Sequence, residues 1–212
     1  MNPGQIMSII ATALVCGGAF AQEGNVTVPP LYFREDWREI PAETPVTQAH
    51  VLNPDLRLTV HGAGAAMVKK SHHDQPLDDP YYIWSGQCEG MWVVTLEKEG
   101  HLADLTMGHI EWRTKNFDRI LYIVLGLDDG TWLVTARGTG ETPGWHEYSI
   151  DIATMGWRSL NIDTVNAGDP VESPDLSRVR AVGFTDLERG GQSAACSRLD
   201  WIEVYGRDVT SQ

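Results

Sequence analysis

The stretch LYIVLGLDDGTWLVT, residues 121–135, decides the fold of this chain. Leu121 to Leu127 form a nearly continuous apolar run, which is typical of a strand covered on both faces. Asp128-Asp129-Gly130 separates this run from a second one, Thr131 to Thr135, and an Asp-Gly pair between two apolar runs is a strong signal for a β-hairpin. The stretch therefore predicts two neighbouring antiparallel strands.

Further strands are predicted on both sides of this hairpin. Ile110 to Arg113 and Trp145 to Ile152 alternate apolar with polar residues, as half-buried strands do. The remaining predicted strands are Leu31 to Trp37, Asp55 to Val60, Tyr81 to Leu96 with breaks at Gly86 and Gly90, Arg180 to Phe184, and Leu199 to Tyr205. No long window keeps a helical period, so the sequence predicts one all-β domain, a β-sandwich or a barrel.

Composition excludes several classes of function. The chain has 212 residues and a formal charge of −13, so no basic patch is expected for nucleic acid or anionic lipid. Hydrophobic residues make up 42% of the chain, which excludes general disorder. Arginine outnumbers lysine, and its forked guanidinium suits the recognition of carboxylates and hydroxyls. We expect neither nucleic-acid binding nor membrane insertion.

The first 21 residues have the features of an export signal. Ile6 to Val15 form an apolar run too short to span a bilayer, and Ala19-Phe20-Ala21 matches a signal-peptidase cleavage pattern. The segment departs from the usual pattern because it contains no Lys or Arg. We predict cleavage after Ala21, which leaves residues 22–212 as a single β-sandwich domain in the periplasm or outside the cell.

Two cysteines remain after this cleavage, Cys88 and Cys196. An even pair in an oxidising compartment predicts a disulfide. The alternative is that both are buried free thiols.

The stretch from Ile110 to Gly206 resembles the galactose-binding-like jelly roll of carbohydrate-binding modules. Beside the hairpin, three motifs carry the resemblance: Gly144-Trp145-His146-Glu147-Tyr148, then Ser173-Pro174-Asp175-Leu176-Ser177-Arg178-Val179, and finally Leu199-Asp200-Trp201-Ile202-Glu203-Val204-Tyr205-Gly206. The resemblance implies a jelly-roll β-sandwich and favours a carbohydrate ligand, although this fold also serves other functions. The first half is similar to secreted bacterial proteins of uncharacterised function.

The same resemblance implies a structural calcium ion. Glu35 and Asp36 lie near the first predicted strand and Asp200 lies on the last one. In the resembled fold these termini are neighbours and often share a Ca²⁺ held by carboxylates and backbone carbonyls. The alternative is that these are surface acids with partial mutual repulsion. No organic cofactor is expected.

The densest polar cluster runs from Lys69 to Trp84. Its candidate ligand-binding residues, together with one tryptophan of the hairpin, are Asp74, Tyr81, Trp84 and Trp132. Tyr82 and Trp84 share one face of a strand, and flat rings on an exposed face suit sugars because the C–H faces of pyranoses stack on aromatic rings. The alternative is that these aromatic residues belong to the core.

The cluster also contains groups for acid–base chemistry. A polysaccharide lyase needs a base and a group that neutralises a uronate carboxylate, which His72 or His73, Tyr82 and Arg113 would supply. A glycoside hydrolase needs two carboxylates, for which the candidates are Asp74, Asp78, Glu111 and Glu203. No spacing typical of a catalytic metal site or of a seryl nucleophile occurs.

The leading hypothesis is a secreted β-sandwich that recognises a polysaccharide or oligosaccharide. The alternatives are a glycan-cleaving enzyme that uses His72, His73, Asp74 and Tyr82, and an envelope interaction protein without a glycan ligand. The charge of −13 favours a neutral glycan. On the last strand, Trp201, Glu203 and Tyr205 share a face that either meets a ligand or is covered by the N-terminal segment, and the sequence slightly favours the covered arrangement.

Overall fold

The structure is a computed structural model that describes residues 28–74, 76, 79–86, 88–191 and 194–210. The predicted signal peptide and Asp78 lie outside the described residues. Within the described ranges, no helix is long and apolar enough to cross a membrane.

The described chain forms thirteen antiparallel strands and three single-turn 3₁₀ helices. The strands are β1 (Leu31–Glu35), β2 (Leu56–His61), β3 (Lys69–Ser71), β4 (Tyr82–Trp84), β5 (Val93–Lys98), β6 (His101–Thr114), β7 (Tyr122–Leu127), β8 (Trp132–Thr135), β9 (His146–Asp151), β10 (Trp157–Asn161), β11 (Asn166–Val171), β12 (Val179–Thr185) and β13 (Arg198–Thr210). The 3₁₀ helices are Gln48–His50, Ala65–Met67 and Ile152–Thr154.

These strands form two layers, which we call sheet I and sheet II. Sheet I has the strand order β2-β5-β12-β7-β8-β10-β11. Sheet II contains β9, β6 and β13, and β13 is flanked on its other side by β1 and by the β4–β3 pair. A pairing between Val179 of β12 and Ala103 of β6 joins the two sheets. The predicted all-β sandwich is therefore confirmed.

The core lies between the sheets. Ile123 and Leu125 of sheet I and Ile202 and Val204 of sheet II belong to one buried cluster. Alternate residues of a strand point to opposite faces, so the residues directly before and after these four in the sequence point to the outer faces of the sandwich. On sheet I, the outward-facing Val124 belongs to a second, smaller apolar cluster.

The predicted hairpin is confirmed, since β7 and β8 pair directly around Asp129-Gly130. The strands that the sequence did not predict are β3, β10 and β11. β11 contains Gly168, Asp169 and Pro170, which disfavour strands, and it is tolerated because it lies at the edge of sheet I.

The structure does not contain the predicted disulfide. Cys88 and Cys196 are both free and buried, which corresponds to the alternative of two buried thiols. Burial raises the pKa of the Cys88 thiol to about 12, so this thiol is protonated and unreactive at neutral pH.

Candidate functional site

The outer face of sheet II gathers most of the aromatic and charged side chains that the sequence singled out. Ile110, Trp112, Ile202 and Val204 point into the core, so the residues between them point outward. We call this surface the sheet II outer face; its members are Arg34, Tyr82, Trp84, His109, Glu111, Arg113, Trp145, Arg198, Asp200, Trp201, Glu203 and Tyr205. Trp201 and Arg113 occupy its middle, directly opposite each other on β13 and β6.

One end of this face brings together three residues of the predicted catalytic set. The Tyr82 hydroxyl lies 3.0 Å from His73 Nδ1, and the same nitrogen lies 2.9 Å from the Asp79 carboxylate. The rings of Tyr82 and Trp145 are 5.3 Å apart, and the Arg113 guanidinium lies 5.4 Å from the Trp145 ring. Trp145 therefore connects Arg113 with the Tyr82–His73 pair.

The two sides of this cluster differ in access. Tyr82 is only 2% exposed, and burial raises the pKa of its phenol. The His73 side chain is 60% exposed, and Trp145 and Arg113 are partly exposed. A ligand would thus meet Trp145, Arg113 and His73, while Tyr82 supports them from beneath.

An ion pair fixes Arg113 on this face. Its Nη1 lies 2.7 Å from Asp200 Oδ2, and the Asp200 carboxylate is largely buried. Burial raises the pKa of Asp200 to about 6, although the Arg113 charge opposes this shift. Arg113 is therefore held by one carboxylate at a defined position beside Trp145.

This raised pKa predicts a pH-dependent contribution to stability. The Asp200 carboxyl titrates near 6 in the folded chain and near 3.8 in the unfolded one. The folded state is therefore favoured by protonation below pH 4, and this advantage is lost as the pH rises through about 6. The wild type should therefore lose about 2 kcal/mol of unfolding free energy relative to Asp200→Asn between pH 4 and pH 7, after allowance for screening. Urea unfolding of both proteins at the two pH values measures this loss. A difference independent of pH would contradict this expectation.

In the middle of the face, Trp201 packs with a charged network. The Arg34 guanidinium lies 4.6 Å from the Trp201 ring and forms ion pairs with Asp36, at 2.6 Å, and with Glu203. Glu203 stands opposite Glu111 on β6, and two like charges in that register repel each other. Arg34 offsets this repulsion and holds its own charge against the Trp201 ring.

At the far end, a second aromatic pair lies on the same two strands. Tyr205 and His109 are opposite each other in the register and stack at 4.1 Å, with 10° between their planes. The Tyr205 hydroxyl donates to Glu203 at 2.6 Å, and this hydrogen bond is the main reason that the pKa of Tyr205 rises to about 12. Aromatic rings, each beside a guanidinium or an imidazole group, therefore follow one another along the whole face.

Some of the predicted site residues lie outside this arrangement. His72 stacks on Tyr81 at 4.0 Å, and Lys70 Nζ lies 4.0 Å from the Tyr81 ring, in a separate contact beside β3. Burial lowers the pKa of Lys70 to about 8. Asp74 is fully exposed, and its carboxylate is 4.0 Å from His72 Nε2. The structure thus separates His72, Asp74 and Tyr81 from His73, although they are close in sequence.

The two predicted ligand-binding tryptophans lie on opposite sides of the sandwich. Trp84 shares the sheet II outer face with Tyr82, as the sequence predicted, and Lys69 Nζ lies 5.5 Å from its ring. Trp132 lies on the outer face of sheet I, where Arg180 is 4.7 Å from its ring centroid and His61 is 5.4 Å away. Trp84 and Trp132 therefore could not contact the same small ligand, and a ligand-binding role for either stays a prediction.

The three predicted calcium ligands each have protein partners. Glu35 is fully buried and accepts hydrogen bonds from backbone N–H groups, Asp36 pairs with Arg34, and Asp200 pairs with Arg113. In the described ranges, no group of three His, Cys, Asp or Glu side chains is arranged to hold a metal ion. All three carboxylates are therefore already engaged by protein groups, and a calcium ion here stays a prediction.

Three residues of this face, Arg34, Trp145 and Arg198, were not indicated by the sequence as candidates for contact with a ligand. Trp145 was visible as part of the Gly144–Tyr148 motif, and Trp201 was recognised as pointing away from the core. The missing information was the register between β6 and β13, which places Trp201 opposite Arg113.

Solved carbohydrate-binding modules are similar to this chain in backbone shape. A family 11 module of a cellulosomal cellulase from Clostridium thermocellum is 13% identical, with a TM-score of 0.46 over 80% of this chain and 97% of that one. TmCBM61, solved with β-1,4-galactotriose, is 13% identical, with a TM-score of 0.39 over 71% and 88%. An exo-β-agarase is 8% identical, with a TM-score of 0.41 over 76% of this chain and 24% of the enzyme.

No family model and no curated protein matches the chain.

Proposed function

We propose that this protein binds a neutral polysaccharide or oligosaccharide on the sheet II outer face, outside the cytoplasm and after removal of residues 1–21. The observation that supports this most is the row of four aromatic side chains along one sheet face, each in contact with a cationic or imidazole group. These pairs are Tyr82 with Arg198, Trp145 with Arg113, Trp201 with Arg34, and Tyr205 with His109.

This combination matches the two surfaces of a sugar ring. The C–H faces of a pyranose are apolar and pack on aromatic rings, whereas the hydroxyls at its edge need donors and acceptors. Guanidinium groups donate in a planar fork, and the neighbouring carboxylates of Glu111 and Glu203 accept. The three partly exposed rings, Trp145, Trp201 and Tyr205, would bind successive sugar units of a chain, while the buried Tyr82 supports Trp145.

The charge of the protein favours a neutral ligand. The net charge is −13, and the face itself contains Glu111, Asp200 and Glu203. A polyanionic glycan would be repelled at long range, and two of the three arginines of this face, Arg113 and Arg34, already form ion pairs with Asp200 and Glu203. Binding should therefore depend little on ionic strength.

A glycan array probed with the full mature chain tests this proposal. We expect binding to neutral oligosaccharides, with an affinity that changes less than about threefold between low and high salt. Isothermal titration with the best array ligand provides the affinity. No binding to any arrayed or insoluble polysaccharide would contradict a glycan function and favour an envelope interaction protein.

A polysaccharide lyase is the second candidate, because the Tyr82 hydroxyl lies 3.0 Å from His73 Nδ1 and Arg113 is held nearby. The burial of Tyr82 argues against it, since a lyase must bring its proton donor to the substrate. Incubation with uronate polymers should produce no ultraviolet absorbance from unsaturated products. Absorbance that appears with the wild type and is lost in His73→Ala and Tyr82→Phe would overturn the binding proposal in favour of a lyase.

A further inference from the structure

A cavity opens between the two sheets, at a different place from the sheet II outer face. Its volume is about 210 Å³, and its walls are mainly apolar. Trp112, Ile123, Ile150 and Met155 are among the residues that line it, and the exposed Arg137 lies where the cavity meets solvent. For comparison, an engineered apolar cavity of about 150 Å³ stays dry and binds benzene. The space is therefore sufficient for an aromatic ring with a short chain.

One of the residues that line this cavity, Trp112, carries an unpaired hydrogen-bond donor. Trp112 is 2% exposed, and its Nε1–H has no hydrogen-bond partner in the described part of the chain. A buried N–H without an acceptor is destabilising, and most such groups in proteins are satisfied. A ligand with an acceptor oxygen inside the cavity would satisfy this donor.

The mouth of the cavity carries an unneutralised positive charge. Arg137 is exposed, and no ion pair or hydrogen bond engages its side chain among residues 28–210 as far as they are described. By contrast, Arg34, Arg113 and Arg178 all pair with carboxylates. A free guanidinium at the entrance of an apolar cavity complements a carboxylate at the end of an apolar tail.

We infer that this cavity binds a small carboxylic acid with an aromatic or short aliphatic tail that contains an ether or carbonyl oxygen. The tail lies between the sheets against Ile123, Ile150 and Met155, its oxygen accepts from Trp112 Nε1, and the carboxylate pairs with Arg137. This site is independent of the glycan-binding proposal, because none of the residues that line the cavity is a member of the sheet II outer face.

Titration with 4-phenoxybutanoate and with its neutral analogue 4-phenoxybutanamide tests this inference. The acid should bind about tenfold more tightly than the amide, because only the acid forms a charge-assisted hydrogen bond with Arg137. Binding of the acid should also shift the indole N–H resonance of Trp112 in nuclear magnetic resonance spectra.

Variants separate the two halves of the site. Arg137→Gln changes an exposed side chain and should remove the preference for the acid, whereas Arg158→Gln, at an exposed arginine of β10, should not. Met155→Phe should fill the cavity and abolish binding of both probes. No binding at millimolar probe, an unshifted Trp112 resonance, or an acid preference that survives Arg137→Gln would overturn the inference.

Discussion

Replacement of Trp201 by alanine is expected to weaken binding of a recognised glycan about 30-fold, the equivalent of about 2 kcal/mol. Trp201 lies in the middle of the sheet II outer face, opposite Arg113 on β6, and Arg34 packs against its ring at 4.6 Å. Removal of the ring deletes the central stacking surface and releases Arg34 from its position. Isothermal titration of the wild type and the variant with one glycan measures the effect.

Two further variants make this test specific. Phe117→Ala removes an exposed aromatic ring from the loop after β6 and should leave the affinity unchanged. Trp132→Ala removes the tryptophan of the opposite sheet and decides between the two outer faces. If Trp132→Ala abolishes binding while Trp201→Ala retains it, the glycan binds on sheet I and our assignment of the site is wrong.

Replacement of Glu35 by alanine is expected to lower the free energy of unfolding by about 4 kcal/mol. The Glu35 carboxylate is fully buried and accepts hydrogen bonds from the backbone N–H groups of Trp37, Leu52 and Asn53, at 2.8, 2.7 and 3.0 Å. Alanine would leave these three donors without their acceptor beside the core. Since Glu35 directly follows Arg34, the same change would loosen the strand that places Arg34 on Trp201.

Urea unfolding measures this loss, and Glu99→Ala provides the matched control. Glu99 is an exposed glutamate in the turn between β5 and β6, and its replacement should change stability by less than about 0.5 kcal/mol. A loss below about 1 kcal/mol in Glu35→Ala would show that water satisfies the three N–H groups, and it would contradict the role assigned to this carboxylate.

Local patterns were sufficient to predict much of the fold. The hairpin of β7 and β8 and the inward direction of Ile202 and Val204 follow from apolar runs, an Asp-Gly turn and period-two alternation. β3 and β11 were not predictable in this way, because an edge strand tolerates polar residues and even Pro170 where tertiary pairing supports it.

The candidate site was predictable only in part, for a different reason. The sequence indicated His73, Tyr82 and Arg113 by residue type. The structure places Tyr82 and Arg113 against Trp145, and His73 against Tyr82. It also suggested His72 for the same role, but two adjacent residues of an extended chain point in opposite directions and meet different neighbours. Which side chains of distant strands meet depends on strand register, and no local pattern determines it.

Indole N–H resonances, recorded while a recognised glycan is added to the protein, test the central claim most directly. Each tryptophan contributes one such signal, and assignment by single Trp→Phe variants identifies them. We predict that the signals of Trp145 and Trp201 shift on glycan binding, whereas those of Trp132 on sheet I and of the buried Trp157 remain in place. A saturating glycan that shifts Trp132 and leaves Trp145 and Trp201 unchanged would contradict the assignment of the sheet II outer face as the glycan-binding surface.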